Sequence, residues 1–234
     1  MFLNLYSCFF HLQACRGVSA TIAGCGIMVL TFSLLSSSII CGLLITRTAR
    51  YRWALWLGWF SILCASALMI VLKASTPTWG VILTFIPLGA AHGLVLSSQN
   101  FAIQALAKAR DEAYAAGFYT FCRTTGFCFG VAILGATFHN FLGTHLRAAN
   151  LDVAIADNAE KYIILLNKVM KGSPLEIPLR NAYAAAFRNV FEVSTGIAGL
   201  AWFLSLFIRE ASMNRALESE HVLLTAGPQT TADA

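Results

Sequence analysis

One arginine stands inside a stretch that is otherwise free of charge: Arg123 in "AAGFYTFCRTTGFCFGVAILG", Ala115 to Gly135. A guanidinium is always charged and carries five N–H donors, so it binds carboxylates, phosphates or carbonyl oxygens. If the helix enters a membrane near Ala113, ten residues at about 1.5 Å each place Arg123 roughly 15 Å deep, near the bilayer centre. An arginine there costs about 2.5–3.5 kcal/mol on insertion scales, so it must face a cavity or a partner. Two readings stand side by side. Arg123 is a cavity-lining cation that binds an anionic or polar substrate group or communicates with a proton site, or it is a structural arginine bonded to backbone carbonyls between helices.

A second group of polar residues lies in "PLGAAHGLVLSSQNFAIQA", Pro87 to Ala105. His92 is titratable near neutral pH and could relay protons; the alternative is a neutral imidazole bonded to a neighbouring carbonyl. Gln99, Asn100 and Gln104 are substrate contacts or interfacial solvation. His139 and His145 have no carboxylate near them in sequence, and no metal site is expected. The chain contains no Gly-x-x-x-x-Gly-Lys-Ser/Thr loop, no Ser-His-Asp pattern, no HExxH and no calcium loop. Those absences exclude an ATP-driven pump as far as this chain goes and point away from an enzyme, with no cofactor expected. No Asp or Glu lies deep in an apolar run; Glu192 sits near the end of one and is spaced i,i+4 from Arg188. His92 is therefore the one protonatable group this chain could supply to proton-coupled transport.

The elements that position these residues follow from composition. Of 234 residues, 58% are hydrophobic and 12% are charged, and mean hydropathy is +0.69. Soluble domains carry about a quarter charged residues, so this is a membrane protein of helical bundle architecture, all-α. The net charge of +5 is modest and dispersed, which suits loops near anionic headgroups and not a nucleic-acid surface. The seven cysteines form no C-x-x-C pair and read as small hydrophobes.

A bilayer core about 30 Å thick needs roughly 20 apolar residues to be crossed as a helix. Ser19–Ile45, Trp53–Leu72, Trp79–Phe101, Ala113–Phe141 and Asn189–Ile208 qualify. Phe2 to Leu12 is too short to cross; it is a signal-peptide core or, the preferred reading, the end of a spanning helix whose beginning is missing. The resulting organisation is a partial membrane helix over 1–13, four spanning helices with short loops over 14–141, a long extracytoplasmic loop over 142–188, a last span over 189–208, and a disordered cytoplasmic tail over 209–234. Within the long loop, "YIILLNKVM", Tyr162 to Met170, has the pattern of a short amphipathic helix at the interface.

Small residues mark helix contacts. Gly89 and Gly93 on one helix, and Gly126, Gly130 and Gly135 on the next, have spacings that permit close or sliding packing. The short basic turn holding Arg47, Arg50 and Arg52 is expected in the cytosol by the positive-inside rule. "KARDE", Lys108 to Glu112, falls on the same side, whereas Lys73 and the lysines and arginines of the long loop fall outside.

The turn carries a resemblance. "GLLITRTARYR", Gly42 to Arg52, is similar to the basic loop of major facilitator superfamily (MFS) transporters, G-x-L-x-[D/T]-R-x-G-R-[K/R/Y], which joins the second and third helices of each six-helix half. Ala49 replaces the glycine usual there. "FHLQACRGVSATIAG" (Phe10 to Gly24), "GLVLSSQNFAIQA" (Gly93 to Ala105) and "DEAYAAGFYTFCRTTGFCFGVAILGATFHN" (Asp111 to Asn140) resemble segments of the fourteen-span drug:proton antiporter branch, especially its fungal multidrug and toxin efflux pumps. Phe127 stands where that family carries glutamine, an apolar ring in place of a polar cavity group. The resemblance covers nearly the whole chain and corresponds to the C-terminal half of such a transporter.

What the resemblance implies is half of an MFS fold, exporting small amphipathic molecules by alternating access between two halves. The implied partners are the lipid bilayer, a small-molecule substrate, and a second half-transporter or a second copy of the chain. The implied location is the plasma membrane, with vacuolar or vesicular membranes as alternatives. A different class stays open: a non-transporting membrane scaffold, a regulatory subunit, or an inactive remnant of a transporter.

Overall fold

A computed structural model describes residues 2–72, 76–168 and 173–208, among which there is no strand. The helices are α1 (Phe2–Arg16), α2 (Ala20–Thr48), α3 (Arg52–Ile70), α4 (Thr78–Leu106), α5 (Glu112–Ala148), α6 (Ala154–Asp157), α7 (Ala159–Lys168) and α8 (Glu176–Ser205), with a 3-10 turn at Ala109–Asp111 before α5. Helices α2, α3, α4 and α5 are each long and apolar enough to cross a membrane. The protein is a multi-pass membrane helix bundle. The expected tail over 209–234 and the outer residue Lys73 lie outside the described residues.

Local sequence sets the helix ends. Gly17 adopts φ +64° directly after α1, and its N–H bonds the Gln13 carbonyl at 3.1 Å, the left-handed closure that glycine accepts without steric cost. Ser19 caps the start of α2 by accepting from the Ile22 N–H. Pro77 sits just before α4. Its ring cannot donate a hydrogen bond, and a helix start needs none from it.

Helix α4 packs between α2 and α3, and α8 packs against α3, α5 and α1. On the α2–α4 seam, a Cβ on Gly89 would collide with the Leu30 carbonyl, and one on Gly93 with Ser37 and the Leu34 carbonyl. The close approach lets α2 serines bond α4 directly. Ser33 Oγ donates to the Ile86 carbonyl at 2.7 Å, Ser37 Oγ to the Ala90 carbonyl at 2.9 Å, and Ser38 and Ser97 share a 2.7 Å hydroxyl contact. On the α3–α4 seam, Gly58 lies against Val95. Trp56 Nε1 donates to the Ser205 carbonyl at 2.9 Å, tying α3 to the end of α8.

The region beyond the apolar runs differs from the loop that composition suggests. Helix α5 continues past Phe141 to Ala148, α8 begins at Glu176 and not at Asn189, and α6 and α7 fill part of what remains. The reason is a buried stripe inside a polar composition. Leu142 and Leu146 on α5, and Leu179, Tyr183 and Phe187 on α8, recur at four-residue spacing, and all are buried. They join Ile163 and Leu166 of α7 and Leu12 of α1 in the largest apolar cluster. Helix α7, which starts ahead of Tyr162, thus turns one apolar side into the protein's own core. Arg188 and Glu192 form an exposed i,i+4 pair at 3.2 Å.

Candidate functional site

A cavity of about 410 Å³ opens among α1, α3, α4, α5 and α8. Its wall is mostly apolar and aromatic, with Trp59, Phe127 and Phe129 contributing rings. Its polar groups are Asn4, His92, Gln99, Tyr119, Arg123 and Ser194. A volume in this range, apolar-walled with a few converging polar groups, is the form of a small-molecule site.

Arg123, His92 and Gln99, from two different apolar runs, line this one cavity, together with Gly126 and Gly130. Asn100 does not; it is exposed and accepts from Gln104 Nε2 at 3.1 Å, one turn along α4. Successive residues of a helix diverge by about 100°, so Gln99 and Asn100 cannot share a face. A Cβ on Gly126 or Gly135 would meet nothing within 4 Å. Gly89 and Gly93 make close helix contacts on the α2–α4 seam, whereas Gly126 borders the open space of the cavity.

The guanidinium of Arg123 lies 5.3 Å from the ring centroid of Phe127, one turn along α5. That is within cation–π range. The ring that replaces a glutamine thus supports the cation. Tyr119, one turn earlier on the same helix, donates from its hydroxyl to Gln99 Oε1 at 3.3 Å, linking α5 to α4. The spacing Tyr119–Arg123–Phe127 is the sequence signal that could have identified Tyr119 as a third member of the same face.

His92 is buried, and its Nδ1 lies 2.8 Å from the Leu88 carbonyl. A carbonyl only accepts, so Nδ1 carries the proton and neutral His92 keeps its lone pair on Nε2. The structural role of this imidazole and a role in the cavity are therefore compatible: one nitrogen braces the helix and the other remains available. Asn4 and Ser194 were not legible as site residues. Ser194 Oγ donates to Asn4 Oδ1, and Asn4 Nδ2 reaches Ser66 Oγ at 3.4 Å. One amide thereby joins α1, α3 and α8 beside the cavity.

The basic turn lies at the α2–α3 corner. Ala49 closes α2 in the left-handed region at φ 51°. Arg47 and Arg50 are exposed, and the Arg52 guanidinium stacks 4.5 Å from the Trp56 ring. Tyr51 is buried against Cys41, Ile45 and Ala54, anchoring the turn. A Cβ on Gly42 would meet only the Phe101 ring at 3.7 Å, an ordinary contact. Among the described residues no group of three or more His, Cys, Asp or Glu could hold a metal ion.

Neither a protein-family model nor a solved structure matches the chain. Curated proteins do. An MFS transporter L2 of Phoma sp. is 33% identical over 221 residues, covering 92% of this chain and 37% of its own length. The MFS efflux transporter aclA of Aspergillus oryzae is 25% identical over 213 residues, covering 89% of this chain and 38% of its own. The efflux pump FUS6 of Gibberella fujikuroi is 25% identical over 243 residues, covering 97% and 43%. The chain spans less than half the length of these curated relatives.

Proposed function

We propose that this chain, similar along most of its length to MFS efflux transporters, acts as the C-terminal six-helix half of an exporter of small amphipathic molecules. In that reading α1, α2, α3, α4, α5 and α8 are the six helices, and the apolar run Asn189–Ile208, which begins within α8, is the last span. The Arg47–Arg52 turn faces the cytosol, where its charges stay hydrated. The membrane is the plasma membrane.

The observation that carries the reading is the cavity that brings Arg123, His92, Gln99 and Tyr119 together within mostly apolar walls. Groups of this kind are costly in a bilayer and are retained where a polar substrate or ion passes. Alternating access places such a site between two halves that rock against each other. The opposite half is supplied by the same polypeptide, a separate one, or a second copy. The outward apolar side chains of α2 and α5, among them Phe32 and Phe118, are the surfaces available to it. His92, with its free Nε2, is the protonatable group through which export would be coupled to protons.

The test is retention of a fluorescent substrate in a drug-sensitive yeast deleted for its own efflux pumps. Cells expressing the chain are expected to retain less dye than empty-vector cells, and Arg123→Ala is expected to restore retention. Retention equal to the empty vector for the parent chain, with the protein present in the membrane, would favour a scaffold or regulatory role over autonomous transport.

A further inference from the structure

The cavity described above carries a charge imbalance. Its lining includes one permanent cation, Arg123, and no Asp or Glu. Arg123 makes no hydrogen bond or ion pair among the described residues; its one described partner is the Phe127 ring on its own helix. The ion pairs Arg180–Glu176 and Arg188–Glu192 lie within α8 and involve no residue of the cavity lining. A half-buried guanidinium in a mostly apolar cavity, supported by a quadrupole but with no counter-charge among the lining residues, leaves its N–H donors directed to whatever occupies the cavity.

Resting on the reading of this cavity as a transport site, we infer that its substrate class is organic anions: amphipathic molecules with an aromatic or conjugated body and one carboxylate or comparably acidic group. The acid meets Arg123, where a planar guanidinium matches a carboxylate by two parallel hydrogen bonds. The body lies against Trp59, Phe127 and Phe129, which line the same space and offer ring faces and edges to an aromatic system. Gln99 Oε1 is already engaged by Tyr119, which leaves the Gln99 amide N–H groups to serve as further donors. A cationic substrate would find the opposite: a like charge at the centre of the site and no carboxylate to pair with. Selection here is by repulsion of cations as much as by attraction of anions.

Three probes of one shape separate charge from size: 1-naphthoate, neutral 1-naphthalenemethanol and 1-naphthylmethylammonium. Binding of each is measured by equilibrium dialysis against the full chain in neutral maltoside micelles at low salt. Naphthoate is expected to bind about tenfold more tightly than the alcohol, and the ammonium more weakly than both. Arg123→Gln is expected to erase the naphthoate advantage over the alcohol, with an unchanged circular dichroism spectrum and elution volume showing that the variant is folded. Arg123→Lys is expected to retain part of the advantage, because the charge persists without the bidentate geometry. Equal binding of all three probes, tightest binding of the ammonium, or a naphthoate preference that survives Arg123→Gln would each overturn the anion assignment while leaving the cavity a binding site. Displacement of bound naphthoate by phosphatidylglycerol at lower concentration than by unlabelled naphthoate would reassign the site to a lipid and overturn the inference. Failure of every probe to bind would sink the inference and the reading of the cavity together.

Discussion

The Leu30 carbonyl of α2 occupies the place where a Cβ on Gly89 of α4 would stand. Two helix backbones meet there with nothing between them, and the same contact recurs one turn on, at Gly93 against Ser37 and Leu34. At both positions a backbone carbonyl of α2 stands in the way, Leu30 at Gly89 and Leu34 at Gly93, so moving a side chain alone does not make room. Gly89→Ala and Gly93→Ala are expected to lower stability by about 1–3 kcal/mol each, the range for overpacking. Gly126→Ala and Gly135→Ala are expected to change stability by less than about 0.5 kcal/mol, or to raise it slightly through helix propensity. Thermal unfolding of the four variants in one detergent checks the contrast; equal effects at all four positions would refute it.

Arg180 joins the start of α8 to the end of α1. Its Nη1 donates to the Ala14 carbonyl at 2.9 Å, and its Nε pairs with Glu176 at 3.0 Å with both side chains largely buried. The charge also lies at the C-terminal end of α1, where carbonyls lack helical partners. Arg180→Ala is expected to cost about 2 kcal/mol, a hydrogen bond from a charged group. Glu176→Gln should cost less, because the bond to Ala14 survives. A limited proteolysis time course should show earlier cleavage around Gly17 in Arg180→Ala than in the parent.

Ala49 adopts φ 51°, a conformation that costs an L-residue about 1–2 kcal/mol. The glycine of the related basic loop would remove this cost. The gain is reduced by the greater freedom of a glycine in the unfolded chain. Ala49→Gly is expected to stabilise the protein by about 0.5–1 kcal/mol, seen as a higher melting temperature. A melting temperature at or below the parent's would argue against left-handed strain at this corner.

Tyr183, on α8 ahead of the apolar stretch from Asn189, donates its hydroxyl to the Ala159 carbonyl of α7 at 2.8 Å. Burial pushes its phenol well above the ordinary value, and the neighbouring Tyr162 and Cys15 act in the same direction. Above pH about 10 the unfolded chain releases this proton and the folded chain keeps it. Stability attributable to Tyr183 is therefore present below that pH and falls as pH rises beyond it. Tyr183→Phe is expected to cost about 1 kcal/mol at pH 7 and to flatten this part of the alkaline decline. Parallel pH–stability curves for parent and variant would contradict that assignment.

The membrane class and the long apolar helices were legible in the sequence because hydropathy is a local sum: each run is long and apolar whatever it packs against. Arg123 was legible for the same reason, as a charge whose cost does not depend on its neighbours. The buried stripe Leu179–Tyr183–Phe187 was not, since averaging over a window that includes Arg180, Arg188 and Glu192 hides a four-residue period. The site residues divide in the same way. Spacing along one helix could relate Tyr119 to Arg123 and Phe127, but no local rule could bring Asn4 of α1, Gln99 of α4 and Ser194 of α8 to one cavity, or decide that Gln99 faces it while Asn100 does not.

Composition thus determined that the chain belongs in lipid and that a few polar groups there would need partners. Which groups meet was decided by how the helices cross. Crossing is set by contacts between residues far apart in the chain, such as Gly89 with Leu30 and Asn4 with Ser194, and short-range periodicity carries no information about such pairs.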